Sequence, residues 1–172
     1  MRPNFALVFG SLVTVVAGYT CTEGTSWTPE EFAEYLTLND TTGWAPMERI
    51  KHCYIDESDI QKTTEARSTE LEARGGGNKY IAYSATGCND NSVLFSVNDF
   101  GCGGCYSVGE IIESGYLWRQ TTGKPYPTVD YYPGPQCQGS KLHHQGIYTG
   151  QYSSCDSVLG EGALSIVVYQ GC

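Results

Sequence analysis

Eight cysteines in 172 residues, at positions 21, 53, 88, 102, 105, 137, 155 and 172, constrain this chain more than any other feature. The second half is rich in glycine, tyrosine and serine, and the whole chain holds 21 glycines. Glycine loses more backbone freedom on folding than any other residue, so such a chain depends on cross-links to hold its shape. Disulfides persist only in an oxidising compartment. The N terminus predicts one: Arg2 precedes an apolar stretch over residues 5–16, broken by Gly10, Ser11 and Thr14 and followed by Ala17-Gly18. A positive start, an apolar middle and small residues at the exit form a secretory signal peptide, assigned to residues 1–18. Polar sequence resumes at Tyr19, well short of the roughly 20 apolar residues a membrane span needs. The expectation is a secreted, extracellular product with no membrane span.

The formal charge of -9 argues against a nucleic-acid partner, because phosphate binding needs clustered cations. The charge is unevenly placed: residues 19–74 carry -7 and residues 75–172 carry -3. The first stretch is acidic and helix-leaning. Within it, Thr28-Pro29-Glu30-Glu31 has the form of a capping box, which predicts a short helix over 29–38 with Phe32 and Leu36 on one face. Asn39-Asp40-Thr41 fits the N-glycosylation pattern and places Asn39 on an exposed loop. Residues 56–74 are almost wholly polar, with too little apolar surface to fix themselves in place. They end in Leu71-Glu72-Ala73-Arg74, followed by Gly75-Gly76-Gly77. A Gly-flanked arginine in such a stretch is accessible to a protease, so Arg74 is the predicted processing site.

This divides the chain into a signal peptide (1–18), an acidic pro-segment (19–74) and a mature domain (75–172). Cys21 and Cys53 fall in the pro-segment and can pair with each other; Cys88, Cys102, Cys105, Cys137, Cys155 and Cys172 fall in the mature part. Six cysteines allow fifteen pairings, and sequence does not choose among them. Strand signals stand at residues 80–83, 93–97 and 164–169, with another at 129–132, separated by turns rich in Gly, Asn and Pro. The predicted fold class is mostly β, a small disulfide-pinned sheet domain with one short helix allowed around 108–118.

Cys102-Gly103-Gly104-Cys105 has three readings: a redox dithiol, half of a zinc site, or two structural half-cystines with different partners. A redox pair wants a helix start to lower its thiol pKa, and zinc wants a second ligand pair; neither is evident, so structural bridges are favoured and no metal or cofactor is expected. His143-His144 beside Lys141, with Glu110, Glu113 and Arg119, supplies the residue types of a small secreted ribonuclease, in which His and Glu move protons and Arg holds phosphate. Against this, adjacent residues of an extended segment face opposite ways. Thus no catalytic residue is assigned, and hydrolysis stays the alternative. No Gly-x-Ser-x-Gly elbow, phosphate loop or His-Glu-x-x-His occurs. The abundant tyrosines of residues 75–172 serve either a binding face or cross-strand packing.

The layout resembles that of small secreted cysteine-rich proteins of filamentous fungi, including plant-pathogen effectors and smut killer toxins, and the Leu-x-x-Arg before the glycines resembles sites trimmed by kexin-type proteases. The resemblance covers the organisation of the chain and carries no residue-level functional motif. It implies a non-catalytic protein that acts outside the producing cell by binding a host or competitor protein or cell-surface component; the product is expected to be a monomer.

Overall fold

The computed structural model describes residues 20–55 and 77–171. The signal peptide, the processing site at Arg74 and Cys172 lie outside the described residues. The fold is mostly β. Its strands, in chain order, are β1 (Thr20–Cys21), β2 (His52–Ile55), β3 (Asn78–Tyr83), β4 (Val93–Asn98), β5 (Gly104–Ile112), β6 (Ser114–Arg119), β7 (Thr128–Tyr132), β8 (His143–Gly146), β9 (Ser153–Ser157) and β10 (Ala163–Tyr169). They form a six-stranded sheet of order β1-β2-β5-β10-β7-β8 and a four-stranded sheet of order β4-β3-β6-β9. The strand signals at 80–83, 93–97, 129–132 and 164–169 correspond to β3, β4, β7 and β10.

The helix allowed around 108–118 does not form. Those residues are the end of β5 and most of β6, and Glu113 alone separates the two strands. Val108, Ile111 and Ile112 are β-branched, while Gly109 and Gly115 weaken a helix, so local preference favours strand. The two strands belong to different sheets, so the chain turns a corner at Glu113. The amide of Glu113 donates to Tyr83 O (2.9 Å) and its carbonyl accepts from Val158 N (2.9 Å), fixing that corner on both sides. Gly115, just beyond it, has no room for a side chain: a Cβ there would lie 2.6 Å from Tyr80 Cε2 and 2.8 Å from the Tyr80 hydroxyl oxygen.

The face between the sheets is an apolar core that includes Leu94, Phe95, Val97, Leu117, Val129, Ile166 and Val168. A buried polar thread crosses it. Tyr80 OH donates to Tyr131 OH (3.3 Å), which donates to Gln145 Oε1 (2.6 Å), and Gln145 Nε2 reaches Gly115 O (3.0 Å). Each buried hydroxyl therefore has a partner, as burial requires.

The described part of the expected pro-segment, residues 20–55, is built into this frame. β1 and β2 extend the six-stranded sheet, with β2 pairing β5 in parallel from His52↔Cys105 to Ile55↔Val108. Between these strands, α1 (Pro29–Tyr35) and α2 (Pro46–Arg49) lie on the outer face of that sheet. The capping box is formed: Glu31 N donates to Thr28 Oγ1 (3.2 Å) and Thr28 N to Glu31 Oε2 (3.0 Å). The helix is shorter than 29–38, and its buried pair is Phe32 and Tyr35; Leu36 caps the end half-exposed. Trp27, Phe32, Tyr35, Met47 and Ile50 then close a second core against Tyr132, Val167, Tyr169 and the Cys105–Cys137 bridge.

Three disulfides are defined: Cys21–Cys53, Cys88–Cys155 and Cys105–Cys137. Cys102 is also disulfide-bonded, and no described cysteine is free. Among the described residues no helix is long and apolar enough to cross a membrane, and no His, Cys, Asp and Glu side chains cluster as a metal site.

Candidate functional site

The most unusual group in the molecule is a carboxylate in the middle of a buried strand. In β7 all five residues, Thr128 to Tyr132, are buried, and Asp130 is fully so. Alternation places Thr128, Asp130 and Tyr132 on the outer face of the six-stranded sheet, under the cover formed by residues 22–50. There Asp130 Oδ2 accepts from Tyr35 OH (2.6 Å) and meets Lys141 Nζ (3.0 Å), while Oδ1 meets His144 Nδ1 (2.6 Å). Tyr35 OH also pairs with Tyr132 OH (2.9 Å), and Lys141 Nζ lies 5.0 Å from the centre of the Tyr35 ring.

Burial alone would push the Asp130 carboxyl up, since it disfavours the charged form. His144, Lys141 and Tyr35 outweigh it and hold the group below the usual carboxylate range. Asp130 is therefore an anion at neutral pH. An ionised carboxylate only accepts, so His144 Nδ1 carries the proton and its Nε2 is the nitrogen left toward the surface. Burial and the Asp130 charge together push the Tyr35 phenol well above its ordinary value, keeping it a donor.

His144 is 59% exposed in its side chain and stands at one wall of a hollow of about 280 Å³, lined also by Tyr126, Thr128, Gly146, Ile147 and Tyr148. Arg119 braces two walls of the hollow, Tyr126 and Tyr148. It is fully buried, and its guanidinium donates to Gln151 O (2.8 Å), Gly123 O (3.1 Å) and Tyr148 O (3.2 Å) while lying 4.7 Å from the Tyr126 ring centre. One cation thereby ties together the loops that carry Tyr126 and Tyr148.

The sequence-level candidates are thus only partly brought together. Lys141 and His144 share Asp130. His143 points the other way, to Asp156 Oδ2 (2.9 Å) and the Tyr131 ring, at the seam between the sheets. Glu110 and Glu113 lie at the far end of β5: Cys105 is level with Val167, which is level with Asp130, and both glutamates come five or more residues later. Arg119 is fully buried and committed to three backbone carbonyls, so it offers no phosphate clamp. Asn39 is exposed, and its sequon partner Thr41 is buried with its hydroxyl on Cys137 O (2.8 Å). In the Cys102-Gly103-Gly104-Cys105 motif, Cys105 bonds to Cys137. Of the tyrosines after residue 75, Tyr80, Tyr83, Tyr106, Tyr131, Tyr132 and Tyr169 are buried, so cross-strand and core packing claims most of them. Tyr148 and Tyr152 are the exposed ones.

Sequence reasoning passed over Asp130 and Tyr35. The signal for Asp130 was present: one acid inside Thr-Val-Asp-Tyr-Tyr, a run otherwise fit for burial on both faces, demands paired partners. Nothing in the sequence indicated that one of them comes from residue 35.

No protein-family model matches the chain, and no curated protein and no solved structure matches it. The fold by itself defines the class: a disulfide-pinned, two-sheet β protein whose larger sheet carries an aromatic helical cover. The three defined bridges fit a protein of an oxidising, extracellular compartment.

Proposed function

We propose that this is a secreted protein that acts by binding, without catalysis, on a host or competitor target outside the producing cell, in the manner of an effector or toxin. The observation that carries the reading is the hollow walled by Tyr126, His144 and exposed Tyr148, with Tyr152 nearby on the Arg119-tied loop. It offers large aromatic contact area with polar tips on a scaffold clamped by Arg119, which is the composition of a recognition surface. Arg119 and Asp130, the buried charged groups beside it, are satisfied internally. Processing at Arg74 by a kexin-type protease is part of the same proposal.

The test compares three proteins on competitor fungal cells and plant tissue: the wild type, a Tyr148→Ala/Tyr152→Ala variant and a His143→Ala/His144→Ala variant. The expected result is loss of cell binding and effect in the tyrosine variant and a smaller loss in the histidine variant, because His144 is one wall of the same hollow. The reverse pattern overturns the reading.

One observation favours a second reading, a small hydrolase with ribonuclease activity first. Asp130 holds Nδ1 of the exposed His144, which lines the hollow, as a carboxylate orients a general base. Hydrolysis of RNA by the wild type that disappears in His144→Ala, with folding unchanged, would establish it.

A further inference from the structure

Residues 20–55 hold two cysteines, Cys21 and Cys53, and these bond to each other. No disulfide therefore ties this segment to the rest of the chain. Every link between residues 20–55 and residues 77–171, apart from the connecting chain itself, is non-covalent.

Those links are of the kind found inside a domain. β2 is an inner strand of the six-stranded sheet, between β1 and β5, and Cys105 N donates to Lys51 O (2.9 Å) at the start of the parallel pairing. Cys53 and Ile55 from this segment enter the core between the sheets. Phe32 and Tyr35 pack edge-on to the Tyr169 ring at 5.3 and 5.9 Å. Trp27 lies over Gly103, where a Cβ would come 2.9 Å from Trp27 Cζ3. A second row of bonds runs along the loop after α1: Thr41 N to Gly139 O (2.9 Å), Lys141 N to Asn39 O (2.8 Å) and Ser140 Oγ to Asp40 Oδ2 (2.6 Å). Tyr35 and Asp130 form the buried centre of the contact. Removing the segment would uncover Val167, Tyr132 and Tyr169 and take from Asp130 its short hydrogen bond with Tyr35.

We infer that residues 20–55 are a permanent part of the working protein, and that a cut between Ile55 and Gly77 yields two chains held together without a covalent bond. The partner that fits the outer face of the six-stranded sheet is this chain's own N-terminal segment. A pro-segment normally leaves after cleavage; this one has the contacts of a subunit. The inference takes its biological setting from the proposed cut at Arg74, but the association it describes holds for any cut in that interval.

Two cuts separate these points. In the first, a seven-residue site for a sequence-specific viral protease replaces residues 63–69, and the purified full chain is digested to completion. Denaturing electrophoresis without reductant should resolve two fragments, while size exclusion in native buffer should show both in one peak. Elution of the N-terminal fragment on its own would overturn the inference. With Tyr35→Ala in the same background, the fragments should part at a lower denaturant concentration than in the parent; an unchanged midpoint would remove the Tyr35–Asp130 contact from the account. In the second, Ala73→Lys creates a dibasic pair before the glycines, and the secreted product of a kexin-positive host is compared with wild type. Cleavage only in the variant would count against native processing at Arg74 and leave the first result standing.

Discussion

The two faces of the six-stranded sheet are buried by different means. The inner face meets the four-stranded sheet through aliphatic and aromatic side chains, and its polar thread of Tyr80, Tyr131 and Gln145 is neutral throughout. It lies mostly within residues 77–171, and Cys88–Cys155 ties β9 of the smaller sheet to the turn after β3. The outer face is closed by residues from the other end of the chain, with stacked and edge-on rings of Trp27, Phe32, Tyr35 and Tyr169 around one buried anion. A neutral core tolerates small losses gradually. A core centred on a charge is held by a few groups that must all be present, since an uncompensated buried charge is far costlier than a lost contact.

Deleting the cover should have the largest effect. Residues 75–172 secreted behind the signal peptide should give little correctly bridged protein compared with the full chain, measured as yield and as disulfide mapping by mass spectrometry. A normal yield would show the inner core sufficient. Next, Lys141→Ala leaves the buried Asp130 short of its ammonium partner and should cost about 3–5 kcal/mol, as for one member of a buried pair. Leu117→Ala in the inner core should cost a comparable ~2–5 kcal/mol through its cavity. Hydrogen exchange distinguishes them: amides of α1 should lose protection in the first variant well before those of β3 and β6, and the opposite order should hold in the second.

The response to pH sharpens the contrast. The Asp130 carboxyl titrates below its ordinary value when folded, against about 3.9 when unfolded, so the folded state binds fewer protons there. Its contribution is present above about pH 4 and fades as pH falls through the lower folded value. Melting temperature against pH should therefore drop steeply on the acid side, and Asp130→Asn should flatten that limb. The tyrosines work at the other end. Burial raises Tyr35, Tyr80, Tyr131, Tyr132 and Tyr169, so stability should fall as pH climbs past about 10, where their unfolded counterparts ionise. Both cores share that loss. The smallest effect is expected from Tyr131→Phe, which removes the hydroxyl that accepts from Tyr80 and donates to Gln145, two neutral hydrogen bonds of the inner thread, and should cost about 1–3 kcal/mol by denaturant titration.

Much of the sheet was legible in the sequence because β3, β4, β7 and β10 carry β-branched and aromatic runs bounded by turn residues, and the capping box at Thr28 announced α1 without ambiguity. The corner at Glu113 was not, because one residue is too short a break to separate two strands by pattern. β2 was missed for a different reason: His-Cys-Tyr-Ile is four residues long, and its partner β5 begins some fifty residues later, so no local signal records the pairing. The site was half visible. Lys141, His143 and His144 stood out as chemical residue types, but which of them share a carboxylate depends on strand register and on an aromatic cover that arrives from far upstream.

That distance sets a schedule. Tyr35 and Asp130 are separated by 95 positions, so at the ~5–20 residues per second typical of translation, α1 leaves the ribosome roughly 5–20 seconds before its binding surface exists. During that interval Trp27, Phe32 and Tyr35 have no sheet to cover. Within that interval both Cys21 and Cys53 are already synthesised, so their loop can close before β7 emerges, and the helix that carries Phe32 and Tyr35 also carries Glu30, Glu31 and Glu34, three acids that disfavour association of the uncovered rings.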